Sequence, residues 1–423
     1  MAEYLKHAEP AGAAGEEVRR VVSEMLLEIE RRGEAAVREY SRRLDDWDPP
    51  SFRVTGEEVR AAEEAVPDDL REHIAFAQTQ VRAFATRQRA TLGDLELETL
   101  PGVVLGHRHV PVDAVGSYVP GGRYPMLASA FMTVVVPKVA GVRRVVACAP
   151  PRGGAGIHPA QLHAMAGSGA DEIVCLGGVQ ALAALAYGLD DLEPVDMIVG
   201  AGNAYVAEAK RQLFGHVGID LLAGPTEILV LADATADPTL VAADLLGQAE
   251  HGPGSPAVLV STSRRLAEDA GEEVENLLAT WPTAEVAGEA WRRRGEVVVA
   301  SGRDEAIELA NAYAFEHVEV HAAEAELDAY LDGLRNYGSL FLGPDATVVY
   351  GDKAVGTNHV LPTAGAARYS GGLWVGKFLK TLTYQRLTAE GTGAVGPAAE
   401  AISRAESMAG HALTARMRLD RLA

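Results

Sequence analysis

Short apolar runs rich in β-branched residues alternate with alanine-rich helical stretches from about residue 110 onward. The runs are "RRVVACAPP", "DEIVCLGG", "VDMIVGAG", "TEILVLAD", "AVLVST", "GEVVVAS", "EHVEVH" and "GSLFLG", and stretches such as "PAQLHAMAGSGA" and "VQALAALAYGL" lie between most of them. This alternation is typical of βαβ units, in which helices cover parallel sheets. The number of runs favours two α/β lobes over a single sheet, with "LLAGPTEILV" as a plausible crossing between them.

The residues before and after this region have a different sequence pattern. Residues 15–44 and 57–92 are charged and helix-periodic, and "DDWDPPS" separates them as a breaker. Beyond residue 343 the strand signal ends, a long glycine-rich loop follows, and a final helix closes the chain. We therefore predict a helical extension over 1–24, a first lobe from 25–117 plus 233–372, a second lobe over 118–232, and a C-terminal helical tail over 373–423 that packs on a partner subunit.

Composition limits the classes of partner and compartment. The formal net charge of −21 disfavours a general nucleic-acid binder, which is normally basic. No run approaches 18 apolar residues, and the first residues lack a signal-peptide core, so we expect a cytoplasmic protein without membrane contact. Cys148 and Cys175 both lie in strand-like runs, which favours buried reduced thiols, and a count of only two cysteines excludes a cysteine-based zinc site.

One helix ends in two polar residues that share a face. In "DLLGQAEHGPGSP", Gln248 lies three residues before His251, and a Gly-Pro pair stops the helix. Both side chains lie in the last turn, where the helix dipole favours a cation. On spacing alone, an ordinary polar helix end is the stronger interpretation and half of a metal site is the weaker one.

Three further stretches carry groups suited to acid–base or metal chemistry. Each stretch also has a purely structural interpretation. In the order of the stretches, these are a surface carboxylate with a half-buried imidazole, an Asx-turn with a structural histidine, and a solvated helix. Taken together, the Gln, His, Asp and His side chains complete a ligand set of nitrogen and oxygen atoms that suits Zn²⁺, and also Mn²⁺ or Co²⁺. The pairs are Glu316 with His317 in "FEHVEV", Asp352 with His359 in "GDKAVGTNHVLPT", and Glu406 with His411 in "AESMAGHAL".

A nucleotide site has only weak support from the residues. "GAGNAY" at 200–205 and "LGGVQAL" at 176–182 each follow a strand and open a helix, so their backbone N–H groups could meet a phosphate. Neither is a complete G-x-G-x-x-G, and no P-loop, G-x-S-x-G or H-E-x-x-H is present.

The order of these blocks resembles the histidinol dehydrogenase family over nearly the whole chain. The blocks are "GSYVPGGRYP", "LGGVQALAALAYG", "GNAYVAEAKRQLFG", "DLLAGPTEILVLAD", "AADLLGQAEHG", "EHVEV" and "GTNHVLPT". The resemblance implies two intertwined α/β lobes with incomplete Rossmann-like parallel sheets, a homodimer, one Zn²⁺ per subunit, and two NAD⁺ used in sequence. It implies oxidation of a primary alcohol through an aldehyde to a carboxylate.

The same resemblance implies roles for particular residues. His317 is the base that removes the alcohol proton, and Glu316 activates the water that attacks the aldehyde. The implied zinc ligands are Gln248, His251, Asp352 and His411 of the partner subunit. The implied substrate contacts are Thr226, His359 and Glu406, and the implied NAD contacts are Tyr118, Gln180 and Asn203.

Departures from the usual pattern resemble the paralogous branch of sulfopropanediol 3-dehydrogenases. "RYPMLASAFM" brings in Arg123, Phe315 precedes Glu316, Lys353 follows Asp352, and Ala201 stands where the family usually has proline. Such cations suit a sulfonate oxyanion, so we predict that Arg123 and Lys353 contact the substrate. 2,3-Dihydroxypropane-1-sulfonate is slightly favoured over L-histidinol; the alternative is that these cations face solvent.

Two other classes of function remain to be distinguished. A non-catalytic binding protein is expected to lack Glu316 or His317, and both are present. A hydrolytic metalloenzyme that uses Glu316 to activate water is expected not to bind NAD⁺.

Overall fold

The largest sheet has six strands and is built mainly from the second half of the chain. In the computed structural model, which describes residues 2–9, 15–121 and 124–423, all neighbouring strands of this sheet run parallel except the first pair, which is antiparallel. The order is β1 (Glu3–Lys6), β11 (Gly295–Val299), β10 (Ala257–Ser261), β9 (Ile228–Ala232), β12 (His317–His321) and β13 (Ser339–Leu342). The residues of the central strands β9, β10 and β12 are all buried, as parallel strands covered on both faces require.

A second sheet of five parallel strands comes from the middle of the chain. Its order is β6 (Glu172–Cys175), β5 (Arg144–Ala149), β4 (Ala114–Tyr118), β7 (Met197–Val199) and β8 (Gly218–Ile219). Together, the two sheets confirm the predicted two-lobed α/β architecture. They also place "TEILV" in the six-stranded sheet, because β9 pairs with β10 and β12.

Helices surround both sheets. In chain order they are α1 (Gly15–Arg32), α2 (Glu34–Asp45), α3 (Gly56–Ala65), α4 (Asp68–Ala90), α5 (Leu127–Ala140), α6 (Pro159–Ser168), α7 (Gly178–Tyr187), α8 (Ala204–Leu213), α9 (Pro238–Ala249), α10 (Arg264–Leu278), α11 (Ala284–Arg294), α12 (Arg303–Tyr313), α13 (Glu324–Gly333), α14 (Val348–Lys353), α15 (Ala389–Ala405) and α16 (Ala409–Asp420). Two 3₁₀ turns cover Ala366–Arg368 and Val375–Phe378. Within the described ranges, no helix combines the length and apolarity needed to cross a membrane.

The early helices pack against the five-stranded sheet. Gly33, with a φ of 57°, separates α1 from α2, and the apolar faces of these helices share a core cluster with α7 and α8. The inner face of α4 shares another cluster with α5, which is buried along most of its length. The domain division predicted from the sequence, which groups residues 25–117 with 233–372, stays a prediction.

A third, antiparallel sheet joins the start of the C-terminal tail to the middle of the chain. It consists of β14 (Leu379–Leu387), β3 (Val103–Pro111) and β2 (Leu95–Leu100). The strand pattern did not predict these three strands, because β2 and β14 are largely exposed, β3 is mostly only partly buried, and none of them forms a continuous apolar run. The tail is therefore a strand followed by the helices α15 and α16. The glycine-rich loop also contains one short helix, α14.

Candidate active site

A cleft of about 850 Å³ lies between the two large sheets. One wall comes from the carboxyl ends of β4, β6 and β7, which are followed by Val119, Gly177–Gly178 and Gly200–Asn203. The opposite wall comes from the amino ends of β9 and β12, where Thr226 and Glu316 precede the paired residues Ile228 and His317. Helix α9 connects the parallel strands β9 and β10 and therefore runs antiparallel to them. Its C-terminal end lies at the amino ends of these strands, next to the cleft.

The structure brings most of the predicted site residues to this cleft. Gln248 is buried beside it and is bonded to Thr226, one of the lining residues. The predicted residues that line the cleft are Tyr118, Gln180, Asn203, Thr226, His251, Glu316, His317, Asp352 and His359.

Three of the predicted residues that the structure describes lie outside the cleft of this chain. Glu406 and His411 lie at the end of α15 and on α16, where both are exposed. Lys353 is exposed at the end of α14. Arg123 falls outside the described residues. The contribution of His411 by a partner subunit stays a prediction.

Glu316 is a buried carboxylate held by a short chain of hydrogen bonds. The side-chain amide of Gln248 donates to Thr226 Oγ1, and the Thr226 hydroxyl donates to Glu316 Oε1. The backbone N–H of Glu227 donates to the same oxygen at 3.1 Å. Among the described residues, these hydrogen bonds and the ion-pair contact with His317 all involve Oε1. Oε2 is therefore available to take a proton from a water molecule.

His317 lies between two carboxylates and is almost fully buried. Its Nδ1 is 3.2 Å from Glu316 Oε1 and 3.2 Å from the carbonyl oxygen of Glu227, and its Nε2 is 3.4 Å from Asp352 Oδ1. Burial acts to lower the pKa of His317, but the charges of Glu316 and Asp352 outweigh it and raise the pKa to about 10. Burial acts in turn to raise the pKa of Asp352, and the His317 imidazole lowers it to about 2.

Compared with that of His317, the pKa of His359 is shifted in the opposite direction. Its Nδ1 is 3.1 Å from the Asp352 carbonyl oxygen, which can only accept, so Nδ1 carries the proton and Nε2 accepts from Ser129 Oγ at 2.9 Å. Burial lowers the pKa of His359 to about 4, so this imidazole is neutral at physiological pH. It is therefore suited to a fixed polar contact rather than to proton transfer.

The other wall of the cleft carries the N-termini of two helices. Asn203 caps α8 by accepting from the N–H groups of Tyr205 at 3.0 Å and Val206 at 3.1 Å, and α7 begins at Gly178, whose N–H donates to the Tyr118 hydroxyl at 3.2 Å. Two helix N-termini thus face the cleft, an arrangement that attracts phosphate. The buried Oε1 atom of Gln180 has no partner among the described residues, so it is a free acceptor at this wall.

Sequence reasoning missed several residues that shape the site. Glu227 contacts His317 and Glu316 through its backbone, and burial together with the charge of Glu316 raises the pKa of its own carboxyl to about 8. Ser129 orients His359, and Asp45 accepts a hydrogen bond of 2.8 Å from the Gln180 amide. Glu227 lies in the block "DLLAGPTEILVLAD" and Asp45 is the first residue of the "DDWDPPS" breaker, but neither stretch indicated a role for these side chains.

Comparison with known proteins agrees with this architecture. The histidinol dehydrogenase family model matches residues 10–419. A histidinol dehydrogenase homolog of Shouchella clausii is 51% identical over 100% of this chain and 99% of its own length, and the sulfopropanediol 3-dehydrogenase of Ruegeria pomeroyi is 48% identical over 99% and 96%. The crystal structure of histidinol dehydrogenase from Elizabethkingia anophelis superposes with a TM-score of 0.92 at 34% identity, covering 98% of this chain and 95% of that one.

The fold and the cleft define an NAD-dependent dehydrogenase that acts on alcohol groups. Within that class, the chain belongs to the histidinol dehydrogenase family, which in general is NAD-dependent and binds zinc.

Proposed function

We propose that this chain is a zinc-dependent, NAD⁺-linked four-electron dehydrogenase that converts a primary alcohol through an aldehyde to a carboxylate. The favoured substrate is 2,3-dihydroxypropane-1-sulfonate, which gives sulfolactate; the alternative substrate is L-histidinol, which gives L-histidine. The observation that carries the reaction is the buried set of Glu316, His317 and Asp352 in the same cleft as the dinucleotide-type wall.

The reaction has two hydride transfers separated by the addition of water. One alcohol, two NAD⁺ and one water give one carboxylate, two NADH and three protons. When bound, NAD⁺ accepts the hydride at each oxidation. His317 takes the hydroxyl proton during the first transfer, and Glu316 takes a proton from the water that adds to the aldehyde carbon. The Gln248–Thr226 chain holds Glu316 in place for this role.

The residues present fit a zinc ion by their donor chemistry. Gln248 offers an amide oxygen, His251 an imidazole nitrogen and Asp352 a carboxylate oxygen, and Nε2 of the nearby His317 is buried without a hydrogen-bond partner among the described residues. We propose His411 of the partner subunit as the fourth ligand. When bound, zinc supplies Lewis acidity that orients and polarises the substrate oxygen. A cation held by Asp352 would compete with the His317–Asp352 ion pair and would favour the neutral imidazole that a base requires.

Lys353 supports an anionic substrate. Although the side chain is exposed, its ammonium charge contributes to the lowered pKa of both Asp352 and His359. The field of this cation therefore reaches the substrate side of the cleft, where a sulfonate would gain from it. The 48% identity to a sulfopropanediol 3-dehydrogenase over almost the full length supports the same substrate.

The substrate is tested by measuring NADH formation with L-histidinol and with the dihydroxysulfonate side by side. We expect faster turnover of the sulfonate, with two NADH per molecule, and a raised KM for it in Lys353→Ala and Arg123→Ala. Lys380→Ala, a change at another exposed lysine on β14, is the matched control and leaves KM unchanged. Much faster turnover of histidinol contradicts the sulfonate assignment.

The cofactors are tested independently of the substrate. Calorimetry on the purified protein measures NAD⁺ binding, and its absence would favour the hydrolytic alternative. Metal analysis of His251→Ala and Asp352→Asn should show the loss of one zinc ion per chain relative to the unmodified protein, whereas unchanged metal content contradicts the proposed ligand set.

A further inference from the structure

A second cluster of metal-type donors, two of them buried and one partly buried, lies in the same lobe. Asp244 on α9 and Glu319 and His321 on β12 each bring one donor atom to within 4.8 Å of the others. Glu319 and His321 are 0% and 1% exposed. The cluster shares no residue with the proposed zinc set, since Asp244 lies one helical turn before Gln248 and Glu319 lies two positions after His317.

The donor separations fit a metal ion better than hydrogen bonds. His321 Nε2 is 3.3 Å from Asp244 Oδ2 and 3.6 Å from Glu319 Oε2. Ligands at 2.0–2.2 Å from a tetrahedral ion lie roughly 3.3–3.6 Å apart. Neither contact has hydrogen-bond geometry, and both Nε2 of His321 and Oε2 of Glu319 are buried without a hydrogen-bond partner among the described residues. The separations therefore match those of ligands that share one ion.

The remaining carboxylate oxygens are fixed by outer contacts. The backbone N–H of Val348 donates to Glu319 Oε1 at 2.6 Å, and the Thr347 hydroxyl donates to Asp244 Oδ1 at 2.9 Å. Each carboxylate therefore presents its other oxygen to His321, and such outer contacts commonly orient metal ligands.

The net charge of the cluster also favours a divalent cation. With a neutral imidazole the cluster carries a net charge of −2, on the fully buried Glu319 and on Asp244, whose side chain is 19% exposed; burying such charge is costly without a counter-charge. A divalent cation cancels this charge, whereas a single proton on the imidazole cancels only half of it. Burial acts to lower the pKa of His321, but the two carboxylates raise it to about 9, so a proton is the competing occupant.

We propose that Asp244, Glu319 and His321 form a second, structural site for a divalent transition-metal ion of the Zn²⁺ or Mn²⁺ type. The ion joins α9, β12 and the start of α14. These elements carry Gln248, His317 and Asp352 respectively, so the ion fixes the relative positions of three parts of the active site.

The first test is the metal content of the purified protein and of two single variants. We expect about two ions per chain without substitution, one in His321→Gln and one in His251→Ala. The inference is overturned if His321→Gln leaves the metal content unchanged, because the cluster then holds only a proton. A failed catalytic zinc assignment is distinguishable, since it leaves the metal content unchanged in His251→Ala.

A second test guards against a variant that does not fold. After chelation, ZnCl₂ or MnCl₂ is added to His251→Ala, and the thermal unfolding midpoint is measured. We expect the midpoint to rise in His251→Ala and to stay constant in His251→Ala combined with Glu319→Gln, an almost isosteric change. No rise in His251→Ala, or an equal rise in both proteins, overturns the site.

Discussion

Replacement of Glu316 by glutamine separates the two oxidation steps. The change keeps the size of the side chain and an Oε1 acceptor for the Glu227 N–H, so the fold is expected to be retained. The change removes the carboxylate charge that lies 3.2 Å from His317 Nδ1. It also removes the group that we propose takes a proton from the attacking water. The second oxidation should therefore suffer far more than the first.

The expected loss follows from the usual contribution of a positioned base. General-base assistance contributes about 10²- to 10⁴-fold, so the barrier to aldehyde oxidation should rise by about 3–5 kcal/mol. The assay compares NADH formed from the alcohol with NADH formed from the aldehyde supplied directly. The unmodified protein should form two NADH per alcohol, and Glu316→Gln should approach one while free aldehyde accumulates.

The control is Glu324→Gln, the same chemical change at an exposed position in the first turn of α13. It should retain both steps. If Glu316→Gln slows both steps equally, or still forms two NADH per alcohol at the normal rate, the role assigned to Glu316 in water activation is wrong.

Three other predictions concern buried groups. Lys210 and Asp220 form an ion pair with side chains 1% and 0% exposed, so Lys210→Met should lower the free energy of unfolding by about 3–5 kcal/mol in chemical denaturation, and a neutral result contradicts the burial argument. Glu227 has a pKa of about 8 in the fold against 4.5 as a free group, so it stabilises the fold below about pH 4.5 and loses that contribution as the pH rises through 8. Glu227→Gln should therefore flatten the fall in melting temperature over this window, and an unchanged slope would refute the assignment. Burial raises the pKa of both thiols, that of Cys175 to about 12, so Cys148 and Cys175 should resist thiol reagents until the protein unfolds.

The fold was predictable where burial is complete. All eight runs quoted at the outset contain strands, and most residues of these strands are buried, as a sheet covered on both faces requires. The edge strand β1 and the strands β2, β3 and β14, which are exposed or partly buried, were not predictable from such runs, since their stability comes from pairing with particular partners. The helical pattern over 15–44 did not indicate the break at Gly33, where the backbone reverses with a positive φ.

The active site was predictable in its residue types but not in its geometry. The spacing of Gln248 and His251 was weak evidence, and only the fold brings Thr226, Glu316 and Asp352 to the same place. One signal was overlooked. "HVEVH" places three polar side chains at alternate positions of a strand buried on both faces, and each such side chain needs a partner. That rule alone would have drawn attention to Glu319 and His321.

The division of the cleft between two sheets bears directly on a reaction with two oxidations. The residues proposed to contact NAD⁺ lie at the carboxyl ends of the five-stranded sheet, and those proposed to act on the alcohol lie at the amino ends of β9 and β12. The hydrogen bonds of Thr226, Glu316 and His317 are made within the wall proposed to act on the alcohol. None of these bonds therefore depends on a bound dinucleotide. Under the proposed function, the exchange of NADH for a second NAD⁺ would leave these hydrogen bonds between protein residues unbroken.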